Sequence, residues 1–274
     1  MFENSISLNV DKIPKIIHYC WFGNKKKSKL IIKCISSWKK CLPNYKIIEW
    51  NEKNTDLNNP FVQLAYKNKK WAFVSDFVRL NILYEHGGIY LDTDMIVIKS
   101  FDNLLNSDCF FGAENEENIS CGIIGAVKKN SFIKQCIDKY ADILICSELN
   151  WASLTIPLII TELFREKYDF KSSFKKNIYI NNIVIYSSEY FYSFPFNERY
   201  GSHKHFKFTT EKSYAVHLWN ESWVEYNEFH YLRNKLYYKG LIRVLQKIIS
   251  QKKLSIKYLK KIISSIKFSF KNYE

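Results

Sequence analysis

The chain has 274 residues, 47% of them hydrophobic, and carries a formal net charge of +14. That length suits one large domain or a domain with an appendage, and the apolar content excludes a chain too polar to build a core. The seven cysteines are odd in number and form no Cys-x-x-Cys, which argues against a disulfide framework or zinc knuckle and for reduced, buried thiols.

The first residues, "MFENSISLNVDKIPKIIHYCW", lack a basic start followed by an apolar run, so a secretory signal is not expected. No apolar run approaches the roughly 20 residues that span a bilayer. Residues 13–22, "IPKIIHYCWF", predict a buried strand, 28–41 a helix, "YKIIEW" a second strand, and 51–60 a loop. Residues 61–85 have a helical pattern that stops at Gly87-Gly88. "IYL" then predicts a short central strand and "MIVI" another, with "CFFGAE" and "CGIIGAV" as further strands. Helices are expected over about 130–146 and 153–167, and late strands in "NIVIYSSEYFY" and "SYAVHLW". Strands alternating with helices predict an α/β sheet.

The charge is unevenly placed. Residues 231–274 hold 12 Lys and Arg against one acid, Glu274, whereas the preceding 230 residues hold 29 basic and 26 acidic residues. Leu241, Val244, Leu245, Ile248 and Ile249 recur at helical spacing, as do Leu259, Ile262, Ile263 and Ile266. Two amphipathic helices with lysine-rich polar faces are therefore expected. Such helices lie on anionic membrane surfaces; the alternative is that their apolar faces pack on the body. An anionic membrane reached through residues 240–274 is the preferred partner, and no nucleic-acid partner is expected. The domain division follows the charge: a body over 1–230 and a basic helical tail over 231–274. The protein is expected in the cytoplasm, peripheral on the inner face of the cytoplasmic membrane.

"HGGIYLDTDM", residues 86–95, places two carboxylates directly after an apolar run. In an extended chain residues i and i+2 point the same way, so Asp92 and Asp94 can face one point just past the strand end. Ligands of open α/β sheets bind outside the carboxyl ends of strands. Two carboxylates at one point favour Mg²⁺ or Mn²⁺, whose shell is usually completed by substrate phosphates. Upstream, Asp76 and Arg79 are i, i+3 neighbours on one helix face in an otherwise largely apolar stretch. Charges there must be compensated or must serve a site.

Together, "IPKIIHYCWFG", "SSWKKCLPNYKIIEWN", "KKWAFVSDFVRLNILYEHGGIYLDTDMIVIKSFD" and "YAVHLWNESW" resemble the DXD-containing glycosyltransferases. That family includes bacterial capsular-polysaccharide and lipopolysaccharide sugar transferases and yeast initiating mannosyltransferases. More distantly it resembles the glucosyltransferase domains of clostridial toxins. The resemblance covers about residues 13–225 and leaves the tail outside. It implies a GT-A fold, a Rossmann-like mixed sheet flanked by helices, and a nucleotide-sugar donor used with Mn²⁺ or Mg²⁺, a UDP-sugar being favoured through Trp21. The expected acceptor is a glycan or lipid-linked glycan in bacterial surface-polysaccharide synthesis.

By the same resemblance Asp94 binds the metal directly, and Asp92 contacts the ribose or the metal through water. Asp76 and Arg79 match the pair that holds the donor sugar, with Arg79 also near the diphosphate. Tyr90 falls near the nucleotide, Trp21 matches the tryptophan that stacks on the base, and Gly122 lies where backbone approaches the sugar. His217 leads as third metal ligand, with Asn220, Glu221 and Ser222 as competitors; Ser222 is also placed beside the donor. Trp223 is expected to close over the diphosphate, and His18 to be structural. Transfer with retention at the anomeric carbon is implied, without a dedicated carboxylate nucleophile. Two readings compete. An aspartate-nucleophile phosphohydrolase would use the same "DTDMI", and a non-catalytic protein would bind through the basic tail.

Overall fold

The computed structural model describes residues 11–143, 151–220, 226–251 and 255–271. Two compact units appear, Met1–Arg199 with His203–Asn220, and Tyr200–Ser202 with Glu221–Glu274.

In the first unit the chain runs β1 (Ile16–Cys20), α1 (Lys29–Cys41), β2 (Lys46–Trp50), α2 (Pro60–Lys67), α3 (Trp71–His86), β3 (Gly88–Leu91), β4 (Met95–Val97), β5 (Cys109–Ala113) and β6 (Ile119–Ala126). It continues through α4 (Ser131–Ile143), α5 (Ile156–Lys167), β7 (Ile178–Ile180), β8 (Ile183–Tyr186) and β9 (Ala215–His217). Seven strands form one mixed sheet in the order β2-β1-β3-β6-β5-β8-β7. β1 is parallel to β2 and β3, while β3 and β5 are antiparallel to β6. This is the expected mixed α/β architecture. Strands β3, β5 and β6 are buried along their whole length, which explains their continuous apolar runs.

The helix predicted over 61–85 is two helices. Asn59 caps α2 with its side chain on the Phe61 and Val62 amides, and Pro60 takes the first turn. Lys69 then adopts a left-handed φ of 55°, and the Lys69 and Lys70 amides close onto Tyr66 and Ala65 carbonyls. The hydrophobic period runs through this break, so periodicity alone does not reveal it. α3 ends where the glycine pair predicts. The Gly87 amide bonds to Leu83 O, and Gly87 and Gly88 have φ of 66° and 101°. A Cβ on Gly88 would lie 2.8 Å from Ile16 O, so this strand start also needs glycine for space.

β4 does not join the main sheet. It pairs antiparallel with β9, Met95 opposite His217. "NIVIYSSEYFY" forms a strand only through Tyr186 and turns into a 3₁₀ segment at Ser188–Tyr190. The edge strand β7 was not foreseen. The six cysteines among the described residues are all free, and five are buried.

In the second unit, α6 (Glu228–Arg233), α7 (Tyr237–Gln251) and α8 (Ile256–Lys271) pack through Phe229, Leu232, Val244 and Ile262. Buried Glu228 accepts hydrogen bonds from Lys247 of α7 and the Tyr258 hydroxyl of α8, both at 3.0 Å. The two tail helices are those expected from sequence; α6 was not foreseen. No helix among the described residues is long and apolar enough to cross a membrane.

Candidate active site

Asp92, Thr93 and Asp94 form the turn between β3 and β4, closed by the Met95 amide on Asp92 O at 3.0 Å. The two carboxylates therefore converge through a turn rather than through strand alternation. β9 then brings His217 alongside. One ligand atom from each of Asp92, Asp94 and His217 lies within 4.8 Å of the others, a grouping that could hold a metal ion.

Each member is tied down. Asp94 Oδ1 lies 3.3 Å from His217 Nε2, and Oδ2 accepts the Asn220 amide at 2.8 Å. Burial works to raise the Asp94 pKa, but His217 and the Asn220 amide outweigh it and hold the carboxyl below its usual range. Burial likewise opposes charge on His217, yet Asp94, then Asp92 and Glu114, raise its pKa. The negative charge that raises His217 is the same charge that a cation would answer. His217 Nδ1 is buried with no hydrogen-bond partner among the described residues. Two carboxylates and an imidazole fit a divalent transition ion.

Asp92 is held from the other side. Its Oδ1 accepts from the Tyr90 hydroxyl at 3.1 Å and lies 3.3 Å from Arg79 Nη1. The Asp92 amide donates to Gly122 O at 2.8 Å. Arg79 Nη2 meets Asp76 Oδ1 at 2.8 Å, Nη1 donates to Cys121 O at 2.7 Å, and Nε donates to Ser75 O at 3.3 Å. The guanidinium sits 4.5 Å from the Tyr90 ring centroid, a cation–π contact. Both Asp76 and Arg79 are buried. Burial pushes the Asp76 carboxyl up to about 7 against the pull of Arg79. The i, i+3 pair is thus not a solvated helix bridge; it braces Asp92.

Gly122 leaves room beside the cluster. A Cβ there would stand 2.9 Å from the Tyr192 hydroxyl, 3.1 Å from Asp92 Oδ2 and 3.4 Å from His217 Cδ2. Trp21 follows directly after β1, with its amide on Trp50 O, its indole N–H on Lys25 O at 2.6 Å and Lys27 5.2 Å from its ring centroid. His18 is fully buried between the Trp50 indole and Gly87 O, a structural place. Ser222, Trp223 and the competitor Glu221 lie outside the described residues. Asn220 reaches Asp94 through its backbone amide. Sequence reasoning missed Tyr192, Ser75 and the Cys121 carbonyl. Nothing local marks a backbone acceptor, and Tyr192 is one of several aromatics in "YFYSF".

Residues 28–111 match the family model described as "Glycosyltransferase sugar-binding region containing DXD motif". Residues 28–111 of the chain thus carry a glycosyltransferase sugar-binding region with its DXD motif. The matched stretch includes Asp76, Arg79, Tyr90, Asp92 and Asp94, and His217 joins them only in the fold. The chain is 30% identical over 135 residues to inositol phosphoceramide mannosyltransferase 3 of Schizosaccharomyces pombe, covering 46% of this chain and 36% of that protein. It is 29% identical over 231 residues to the uncharacterized glycosyltransferase L373 of Acanthamoeba polyphaga mimivirus, covering 77% of this chain and 84% of that protein. The chain therefore spans about a third of the first relative and most of the second. The solved structure of PaToxG glycosyltransferase superposes with a TM-score of 0.50 at 22% identity, over 57% of this chain and 70% of that one, a likeness of fold. These matches support sugar transfer and favour neither the phosphohydrolase nor the binding-protein reading.

Proposed function

We propose that this chain is a metal-dependent, retaining glycosyltransferase. It moves a hexose or N-acetylhexosamine from a nucleotide-sugar, with a UDP-sugar favoured, to a glycan or lipid-linked glycan acceptor in bacterial surface-polysaccharide synthesis. The observation that carries the reading is the convergence of Asp92, Asp94 and His217 with a buried Asp76–Arg79 pair behind Asp92.

Asp92, Asp94 and His217 would hold the cation. Imidazole beside two carboxylates favours Mn²⁺ over Mg²⁺, because Mg²⁺ prefers all-oxygen shells. When bound, the cation supplies Lewis-acid neutralisation of the departing diphosphate. Arg79 keeps a fixed positive charge beside that point in a site sheltered from water. Among the described residues its hydrogen bonds to Ser75, Cys121 and Asp76 engage three of five N–H groups, with Asp92 as an ion-pair partner 3.3 Å from Nη1, so one N–H on Nη2 and one on Nη1 remain to face the donor. On a same-face path the acceptor oxygen bonds to the anomeric carbon as the carbon–phosphate oxygen bond breaks. The acceptor proton passes to the leaving phosphate, so no carboxylate nucleophile is required.

Trp21 supports the base-stacking role because its indole N–H is already bonded and only ring face remains to offer. A lipid-borne acceptor is suggested by the fission-yeast relative, whose name states an inositol phosphoceramide substrate. The basic tail supports a cytoplasmic enzyme peripheral on the inner membrane face. Leu245, Ile249, Ile256 and Ile263 remain exposed although α7 and α8 bury Val244 and Ile262. Packing on α6 thus does not consume the tail's apolar surface, and lysines accompany it.

A panel of UDP- and GDP-sugars, with Mn²⁺ or with EDTA, tests the reading through release of free nucleotide. One sugar consumed only with metal supports it and names the donor. Absence of both hydrolysis and metal-dependent nucleotide binding would end it.

A further inference from the structure

Trp219 is a bulky residue in a backbone conformation it rarely adopts, with φ of 52°. Such strain persists where surrounding contacts over-determine it. Here the contacts are specific. Before Trp219, the His217 amide bonds to Phe191 O at 2.9 Å and the Leu218 amide to Asp94 O at 3.1 Å. After it, the Asn220 amide bonds to Asp94 Oδ2 at 2.8 Å. The left-handed step at 219 is what lets two amides, one on each side of it, close on the same aspartate, one on its carbonyl and one on its carboxylate. The indole itself is pinned by its N–H on Phe194 O at 2.7 Å and by the edge of Phe196, 5.5 Å between centroids. Its ring meets the His217 imidazole edge-on, 4.3 Å between centroids at 89°. Tyr192 flanks both rings, 5.5 Å from His217 and 5.8 Å from Trp219.

We propose that Trp219 is the positioning residue of the cluster: its left-handed backbone aims the Asn220 amide at Asp94, and its ring sets the His217 imidazole. This rests on the reading of Asp92, Asp94 and His217 as cation ligands, and it assigns Trp219 a role that neither the DXD motif nor the family match carries. Groups that orient metal ligands typically change affinity by 10–100-fold when removed. Trp219 does so from two directions at once, through main chain and through side chain.

Comparing Trp219→Ala, Trp219→Gly and Trp219→Phe in the full chain separates these contributions. Ala loses the ring and must also hold the left-handed backbone with a Cβ; Gly loses the ring but adopts that backbone freely; Phe keeps a ring without the N–H anchor. Mn²⁺ affinity, read by electron paramagnetic resonance of free ion, is expected to fall about 10-fold or more in Trp219→Ala and by less in Trp219→Gly and Trp219→Phe. Hydrogen exchange of the Asn220 amide gives a second readout without metal. It should be slow in the wild type and in Trp219→Gly, and fast in Trp219→Ala. Wild-type Mn²⁺ affinity in a folded Trp219→Ala overturns the proposal. So does an Asn220 amide that exchanges at the rate of an open loop in the wild type, whether or not metal binds. A protected Asn220 amide in a wild type that takes up no Mn²⁺ would instead support the backbone half of the role and end the metal reading.

Discussion

Acidification offers a quantitative test of how the DXD strand is anchored. His18 is fully buried. The Trp50 indole can only donate, so its 3.0 Å contact makes His18 Nδ1 the acceptor. Nε2 then carries the proton and donates to Gly87 O at 2.9 Å. This tautomer is neutral, and burial lowers the pKa from 6.5 to about 4. A depressed histidine contributes stability that is whole above the unfolded value of 6.5 and is lost as pH falls from there toward 4. The full difference corresponds to roughly 3 kcal/mol, of which about 2 kcal/mol is lost between pH 7 and pH 5. Asp76 runs the other way. Its carboxyl, raised from 3.8 to about 7, favours the folded state increasingly as pH falls through that window. A pH titration of the wild type alone therefore mixes two opposed effects of similar size. His18→Gln resolves them, since a neutral amide can accept from Trp50 and donate to Gly87 without titrating. Urea unfolding of both proteins at pH 7 and pH 5 should show the wild type losing about 2 kcal/mol relative to the variant. Equal pH dependence in the two would refute the neutral-histidine anchor.

Asp94→Asn should lower metal-dependent donor hydrolysis by at least about 100-fold and weaken Mn²⁺ binding, because it removes the charge that His217 and the cation answer; full activity would dismiss the metal assignment. Arg79→Met should cost about 3 kcal/mol in denaturant unfolding and abolish turnover, since Asp76 and Asp92 lose their shared partner; Arg79→Lys, lacking the fork, should rescue charge but little activity. Gly122→Ala should reduce donor affinity roughly 10-fold in calorimetry, as its Cβ would stand 2.9 Å from the Tyr192 hydroxyl. Deleting residues 240–274 should abolish flotation with anionic vesicles while donor hydrolysis continues; unchanged flotation would reject the membrane role.

Local signals carried the glycine stop at Gly87-Gly88, the strand that follows it and the Asp76–Arg79 spacing. Each depends on residues within a few positions: left-handed φ, a buried apolar run, and the rise of a helix. The same locality misled at residues 61–85, where hydrophobic period persisted across the Lys69 turn, and at "DTD", where a turn rather than an extended chain brings the carboxylates together. His217 was legible as a candidate only by resemblance.

What the sequence by itself determined is the chemistry on offer: two carboxylates after an apolar strand, a charged pair inside an apolar helix, and a tail of separate charge. What only the tertiary structure decided is which groups meet. β9 lies more than a hundred residues beyond Asp94, yet its pairing with β4 sets His217 opposite Met95, beside the carboxylate. The fold also turns Arg79 from a helix partner of Asp76 into a bridge to Asp92 and Cys121 O. Those contacts depend on strand order and on backbone carbonyls, which have no side-chain signature, and so they become visible only once the sheet has closed.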